Sequence, residues 1–307
     1  MQPPSRKRIL YTFLTALAVA GAYAAIATDT ALQNTADISG LGPPGVLVVA
    51  VTGQGEELLG RFIDGVRQQR GDEGLAPFMH QVFGSNAFQA ALVQIGQGDT
   101  LNSQTGGLSI FIDDTSPPVC ALWKPLGVVK SRSRRSVAIS YHELMHCYEH
   151  AVEKGISPAS ALPAPQATIR YPDLAAVAQG QGFSPTEGQV LTRLYRDYVN
   201  ECVADLRALS LAGEQGDYDA VAEGLRALRE ESRATGALVH DCLSVVEAAI
   251  EAGWGTRKQP VEAVKAMLAA LPIRSADEFI ALVDRDLLRA KLQREEAIWR
   301  QSAVSQE

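Results

Sequence analysis

The sequence predicts an α+β protein, with a small mixed sheet in its N-terminal half and a mainly α-helical C-terminal part. Three observations predict this. Short, continuously apolar or β-branched runs bounded by Gly and Pro fall within the first 125 residues. From Ser136 onward, Ala- and Leu-rich segments recur with helical spacing. The 307 residues are 46% hydrophobic and 21% charged, a globular balance that excludes disordered, collagen-like and coiled-coil chains. The formal net charge is -7, and residues 1–27 hold Arg6, Lys7 and Arg8 without any acid, so the rest is more acidic still. Binding phosphate backbones needs a basic face, so general nucleic-acid binding is excluded.

Arg6, Lys7 and Arg8 precede an uncharged run over residues 9–28. Ala22-Tyr23-Ala24 and Ala25-Ile26-Ala27 offer small-residue cleavage sites, while the run is also about long enough to span a bilayer. Residues 1–28 therefore read as a signal peptide or as an N-terminal membrane anchor. Either reading exports the remainder to a periplasmic or extracellular space, tethered through residues 9–28 in the second case. Residues 29–44, polar and ending in Gly42-Pro43-Pro44, read as a linker.

Residues 46–51 form a continuous apolar run, the mark of a buried strand. Gly53-Gln54-Gly55 turns the chain into a helix over residues 56–69, with Leu58, Leu59, Phe62, Ile63 and Val66 on its apolar side. This is no dinucleotide site. The third glycine of that fingerprint falls at Leu58, and Glu56 and Glu57 occupy the helix start where a pyrophosphate needs positive potential. Further strands are expected at 91–95, 108–112 and 119–123, and a solvated basic loop, or a contact for an acidic ligand, at 130–135. A helix follows over 136–154, then a Pro-, Ala- and Gly-rich stretch over 155–182 that reads as a long loop with room for one short helix. Ser184-Pro185-Thr186-Glu187 is a capping box that opens a helix running to Ala212 and closed by Gly213. Helices over 218–233, 237–252, 261–271 and 277–300 complete the chain, the last opened by a capping box of Ser275 and Glu278.

The chemistry lies in His142-Glu143-Leu144-Met145-His146. Histidines four apart on a helix share a face and can bind one metal ion. Glu143 lies beside them, placed to act on water rather than on the metal, and two imidazoles favour zinc. A catalytic zinc keeps three protein ligands and an open position. His150 is one turn further, but each turn of a straight helix rises about 5.4 Å, so three such histidines cannot converge. The metzincin pattern needs glycine and histidine where this chain has Glu149 and Val152. Glu201 is a third candidate, in Asn200-Glu201-Cys202-Val203-Ala204-Asp205. Tyr198, Glu201, Cys202, Asp205 and Leu209 share one helix face, and acids embedded in an apolar stripe need partners.

These two segments, under a tenth of the chain, resemble the gluzincin metallopeptidases, the thermolysin-like group. That pattern is HExxH on one helix and a glutamate on a later helix, often within N-E-x-x-x-D or E-x-x-A-D. The resemblance implies a zincin-like catalytic region over residues 45–213, with residues 214–307 packed on it as a helical region. It implies one Zn2+ held by His142, His146 and Glu201, with Asp205 supporting His142. It also implies Glu143 as general base and a peptide or protein substrate held along a strand edge, at 108–112 or 119–123. The oxyanion donor is often a Tyr or His from the C-terminal part, for which Tyr198 and His240 are candidates. The interval from His146 to Glu201 exceeds that of thermolysin, and residues 155–182 account for it as an inserted loop. Asn86-Ala87-Phe88 is similar to the substrate-edge strand of such enzymes. The alternatives are an inactive zincin-like peptide-binding module and a membrane-tethered helical scaffold carrying the motif by accident.

Four cysteines, Cys120, Cys147, Cys202 and Cys242, permit two disulfides with three connectivities in an oxidising compartment. No CxxC spacing suggests a cysteine zinc site. Cys147 follows His146 and Cys202 follows Glu201, so a Cys147–Cys202 bond would staple the two zinc helices. Pairings with Cys120 and Cys242, or none, stay open.

Overall fold

The computed structural model describes residues 38–52, 56–89, 108–124, 134–163, 174–256, 266, 269–286, 288–290 and 292–293. The segment read as signal or anchor, the strand expected at 91–95, most of the basic loop and most of the helix at 261–271 lie outside them. In chain order the elements are β1 (Leu47–Thr52), α1 (Glu56–Arg70), α2 (Leu75–Gly84), β2 (Leu108–Ile112), β3 (Val119–Lys124), α3 (Arg134–Glu153), α4 (Leu174–Gly180), α5 (Pro185–Gln215), α6 (Tyr218–Ala234), α7 (Leu243–Glu251) and α8 (Ala276–Ala281). The three strands form one mixed sheet, ordered β1-β3-β2, with β1 parallel and β2 antiparallel to the central β3. Strand alternation divides its side chains between two faces. Val49, Val51, Ala121 and Trp123 point toward an apolar layer containing Phe62, Val66, Phe78 and Val82. Val48, Cys120 and Leu122 point the other way, into the larger core that includes residues of α3, α5, α6 and α7.

α3 packs against α5 and α6. Its contact with α6 is close because residue 224 is glycine: a Cβ there would meet Ala138 Cβ at 2.6 Å and collide with the backbone of Arg134. α5 opens with the expected capping box and Pro185 in its first turn. It runs past Gly213, however, and ends at Gly216, whose φ of +87° closes the helix in the left-handed region. Gly213 serves close packing instead, since a Cβ there would lie 2.8 Å from the carbonyl carbon of Gly255.

Several expectations are corrected. The end of the segment read as a linker is docked: Ile38 is 1% exposed, Tyr148 Oη donates to Leu41 O at 2.6 Å and Ser157 Oγ to Pro44 O at 2.6 Å. Asn86-Ala87-Phe88 is a helical turn rather than a strand, with Phe88 buried against Phe62 and Phe83. Residues 237–252 are not one helix but a 3-10 turn, Leu238–His240, followed by α7. The helix expected to start near residue 277 and run to 300 has its first segment, α8, end at Ala281.

The disulfides are Cys120–Cys147 and Cys202–Cys242, with Cα separations of 5.9 and 5.2 Å. The Cys147–Cys202 staple is therefore not formed. Each cysteine is rotated about 100° from the neighbouring His146 or Glu201, so the two turn away from each other when those side chains converge. Cys147 reaches β3, and Cys202 reaches the residue preceding α7.

Candidate metal centre

α3 presents His142 and His146 one turn apart, their rings 4.9 Å apart and nearly perpendicular at 86°. α5 brings Glu201 against both. His142 Nε2 lies 3.1 Å from Glu201 Oε2, His146 Nε2 lies 3.3 Å from Glu201 Oε1, and the two Nε2 atoms are 3.2 Å apart. The three side chains could hold a metal ion. A tetrahedral ion with bonds of about 2.0–2.1 Å has ligand atoms about 3.3 Å apart, which these separations match.

The opposite edges of the two rings fix which nitrogens face the centre. His142 Nδ1 lies 2.8 Å from Asp205 Oδ1, and His146 Nδ1 lies 3.2 Å from Glu149 Oε2. A carboxylate accepts, so each Nδ1 donates, and in the neutral rings that a metal ion requires each Nε2 turns a lone pair inward. Two lone pairs and a carboxylate thus converge on one point, an arrangement that favours a cation. Burial pulls the His142 imidazole down, but Glu201 and Asp205 outweigh it and take it up to about 9. His146 likewise stands well above the usual histidine range, burial being overcome by Glu149 and Glu201. Burial pushes the Glu201 carboxyl up, yet His142, His146 and His240 hold it well below the usual carboxylate range.

Asp205 is 0% exposed. Arg229 of α6 answers its charge, donating from Nε to Oδ2 at 2.7 Å and from Nη2 to Oδ1 at 2.8 Å. The same Nη2 reaches Glu201 Oε2 at 3.3 Å. His240, carried on the 3-10 turn, places Nδ1 2.9 Å from Glu201 Oε2. On the far side, Arg207 of α5 donates to Glu149 Oε1.

These groups border a cavity of about 200 Å³ whose lining includes His142, Glu143, His146, Glu201, His240 and Ser109 of β2. The structure therefore unites His142, Glu143, His146 and Glu201 and sets Asp205 behind His142. It also separates the remaining candidates. His150 stands outside the cluster, beside Phe111 and 3.7 Å from Glu153. Tyr198 is buried away from the cavity, its hydroxyl accepting from Arg274 N at 3.3 Å, so of the two oxyanion candidates only His240 faces the site.

Sequence reasoning missed Arg229, Glu149 and Arg207. A signal for Arg229 existed: it continues the buried stripe of Val221, Leu225 and Ser232 on α6, where an arginine demands a buried acid. Glu149 and Arg207 are ordinary helix-surface residues by spacing and carried no signal.

Comparison with protein-family models, curated proteins and solved structures returns no match.

Proposed function

We propose that the protein is a zinc-dependent metallopeptidase with a zincin-like catalytic region, exported from the cytoplasm. The observation that carries this reading is the convergence of His142, His146 and Glu201 at one point, with Glu143 in the same cavity. Nitrogen and oxygen ligands at tetrahedral separations suit Zn2+ among the divalent ions. A zinc ion held there supplies Lewis acidity, polarising a carbonyl and making water acidic near neutral pH.

The chain's own residues supply the rest. The Glu143 carboxylate takes a proton from the attacking water and passes it to the nitrogen of the leaving amine. His240, anchored through Nδ1 by Glu201, faces the cavity beside the carbonyl oxygen on which negative charge develops. Of the two strands considered for substrate pairing, β3 is hydrogen-bonded on both sides, by β1 and β2. β2 has a neighbour on one side only among the described residues, and its Leu108 and Ser109 line the cavity. An extended peptide pairing with β2 would run beside the cavity that Leu108, Ser109 and Glu143 line.

Export rests on the basic and apolar segment at residues 1–28 and on two disulfides, which belong to oxidising compartments. No helix among the described residues is long and apolar enough to cross a membrane. The candidate tether is the uncharged run over residues 9–28. Glu143→Gln tests the mechanism. It should leave about one zinc per chain, read by metal analysis, and abolish digestion of an unstructured protein. Retention of a tenth of wild-type turnover would show that Glu143 is not the base.

A further inference from the structure

Each metal-facing histidine has a carboxylate at its outer nitrogen, and each carboxylate has an arginine. For His142 the chain of contacts runs through Asp205 to Arg229; for His146 it runs through Glu149 to Arg207. The two are built differently. Asp205 and Arg229 are buried and come from α5 and α6. Glu149 sits one turn beyond His146 on the same helix, and its side chain is 23% exposed. A lone, solvated glutamate at this spacing has many rotamers and would hold His146 only part of the time. Arg207 removes that freedom: projecting from α5, it takes Oε1 of Glu149 and leaves Oε2 for His146 Nδ1 at 3.2 Å.

We infer that Glu149 and Arg207 form a positioning pair for His146. They hold its ring in the tautomer and orientation that present Nε2 to the ion. This inference rests on the metal-binding reading above. It also accounts for a feature of α5, which contributes to both chains of contact: Glu201 as ligand, Asp205 behind one histidine and Arg207 behind the other, all within two turns. A shift of α5 against α3 would therefore disturb the ligand and both histidines together.

Zinc competition titration on the full, disulfide-intact chain tests this, with Co2+ absorption as a spectroscopic readout of ligand geometry. Glu149→Ala should weaken zinc binding about 10- to 100-fold, as is usual for partners of ligand histidines. It should also alter the Co2+ spectrum of the saturated protein while leaving the thermal midpoint of the metal-free chain nearly unchanged. Glu149→Gln keeps an oxygen that accepts from Nδ1 and should recover most of the affinity. Arg207→Met should fall between the two. Zinc affinity and Co2+ spectrum in Glu149→Ala equal to those of wild type would overturn the positioning role and leave the ligand set standing. Failure of the wild-type chain to bind zinc would overturn both readings. If Glu149→Ala does not fold, Arg207→Met and Glu149→Gln decide the matter: with wild-type affinity and spectrum in Arg207→Met, the pair has no positioning role.

Discussion

The two faces of the small sheet are covered in opposite ways. One face meets an apolar layer in which Val49, Val51, Trp123, Phe62 and Val82 need only shape and transfer from water. The other meets a core whose apolar residues surround Glu201, Asp205, Arg229, His142 and His146. In the first layer any apolar residue of suitable volume serves. In the second, each charged group depends on a partner from another helix, and removing one leaves the next unanswered. Apolar burial stabilises the fold on both sides, while the charged groups on the second also hold a geometry that is sensitive to single atoms.

That contrast predicts how substitutions divide. Glu201→Ala should have the largest effect, lowering zinc affinity by more than the roughly 100-fold expected of a supporting partner, because it deletes a ligand. Unchanged metal content after dialysis would remove Glu201 from the ligand set. Arg229→Met should come next. It strands the Asp205 carboxylate away from water and should cost about 3–5 kcal/mol of unfolding free energy in urea titrations, together with weaker zinc binding. A loss under about 1 kcal/mol would mean that Asp205 is answered without Arg229. On the apolar face, Ile112→Val should cost only about 0.5–1.5 kcal/mol and leave zinc affinity at the wild-type value. A change in zinc affinity there would show that the two faces are coupled through the sheet.

The same contrast explains what the sequence disclosed. The strands at 47–52, 108–112 and 119–124 announced themselves through local apolar runs, and α5 through its capping box, because those signals act between near neighbours. His142, Glu143 and His146 were legible because one turn of helix fixes their relation. Glu201 and Asp205 were legible as acids in an apolar stripe and, through the gluzincin resemblance, as partners of the two histidines, although only the fold gives them Arg229. Glu149 and Arg207 were silent, since each satisfies the pattern of a solvated helix face and only the packing of α3 on α5 joins them. The disulfides were open for the same reason: four cysteines fit three connectivities, the rotation of Cys147 and Cys202 away from each other removes one, and only the packing of α3 on β3 and of α5 on the start of α7 chooses between the other two.

Another carboxylate of α5, Glu187, sharpens the comparison from the other end of the helix. Glu187 is satisfied mainly by its own helix start: Ser184 N donates to Oε2 at 2.7 Å, and Arg289 Nε to Oε1 at 2.9 Å. The Ser184 backbone hydrogen bond and then Arg289 hold its carboxyl below the usual range. A carboxyl lowered in the folded state contributes stability above its unfolded value, near 4.5. That contribution is lost as pH falls through the lower, folded value. The thermal midpoint of wild type should therefore exceed that of Glu187→Gln by a small, constant amount between about pH 6 and 7, and the gap should close as pH falls below the unfolded value. Zinc affinity at neutral pH should be the same in both. A gap independent of pH would mean that the cap acts through hydrogen bonding that glutamine reproduces poorly, rather than through charge. A loss of zinc affinity would show that the start of α5 sets the position of Glu201 about four turns away, and that the locally satisfied acid and the cross-helix acids are not independent after all.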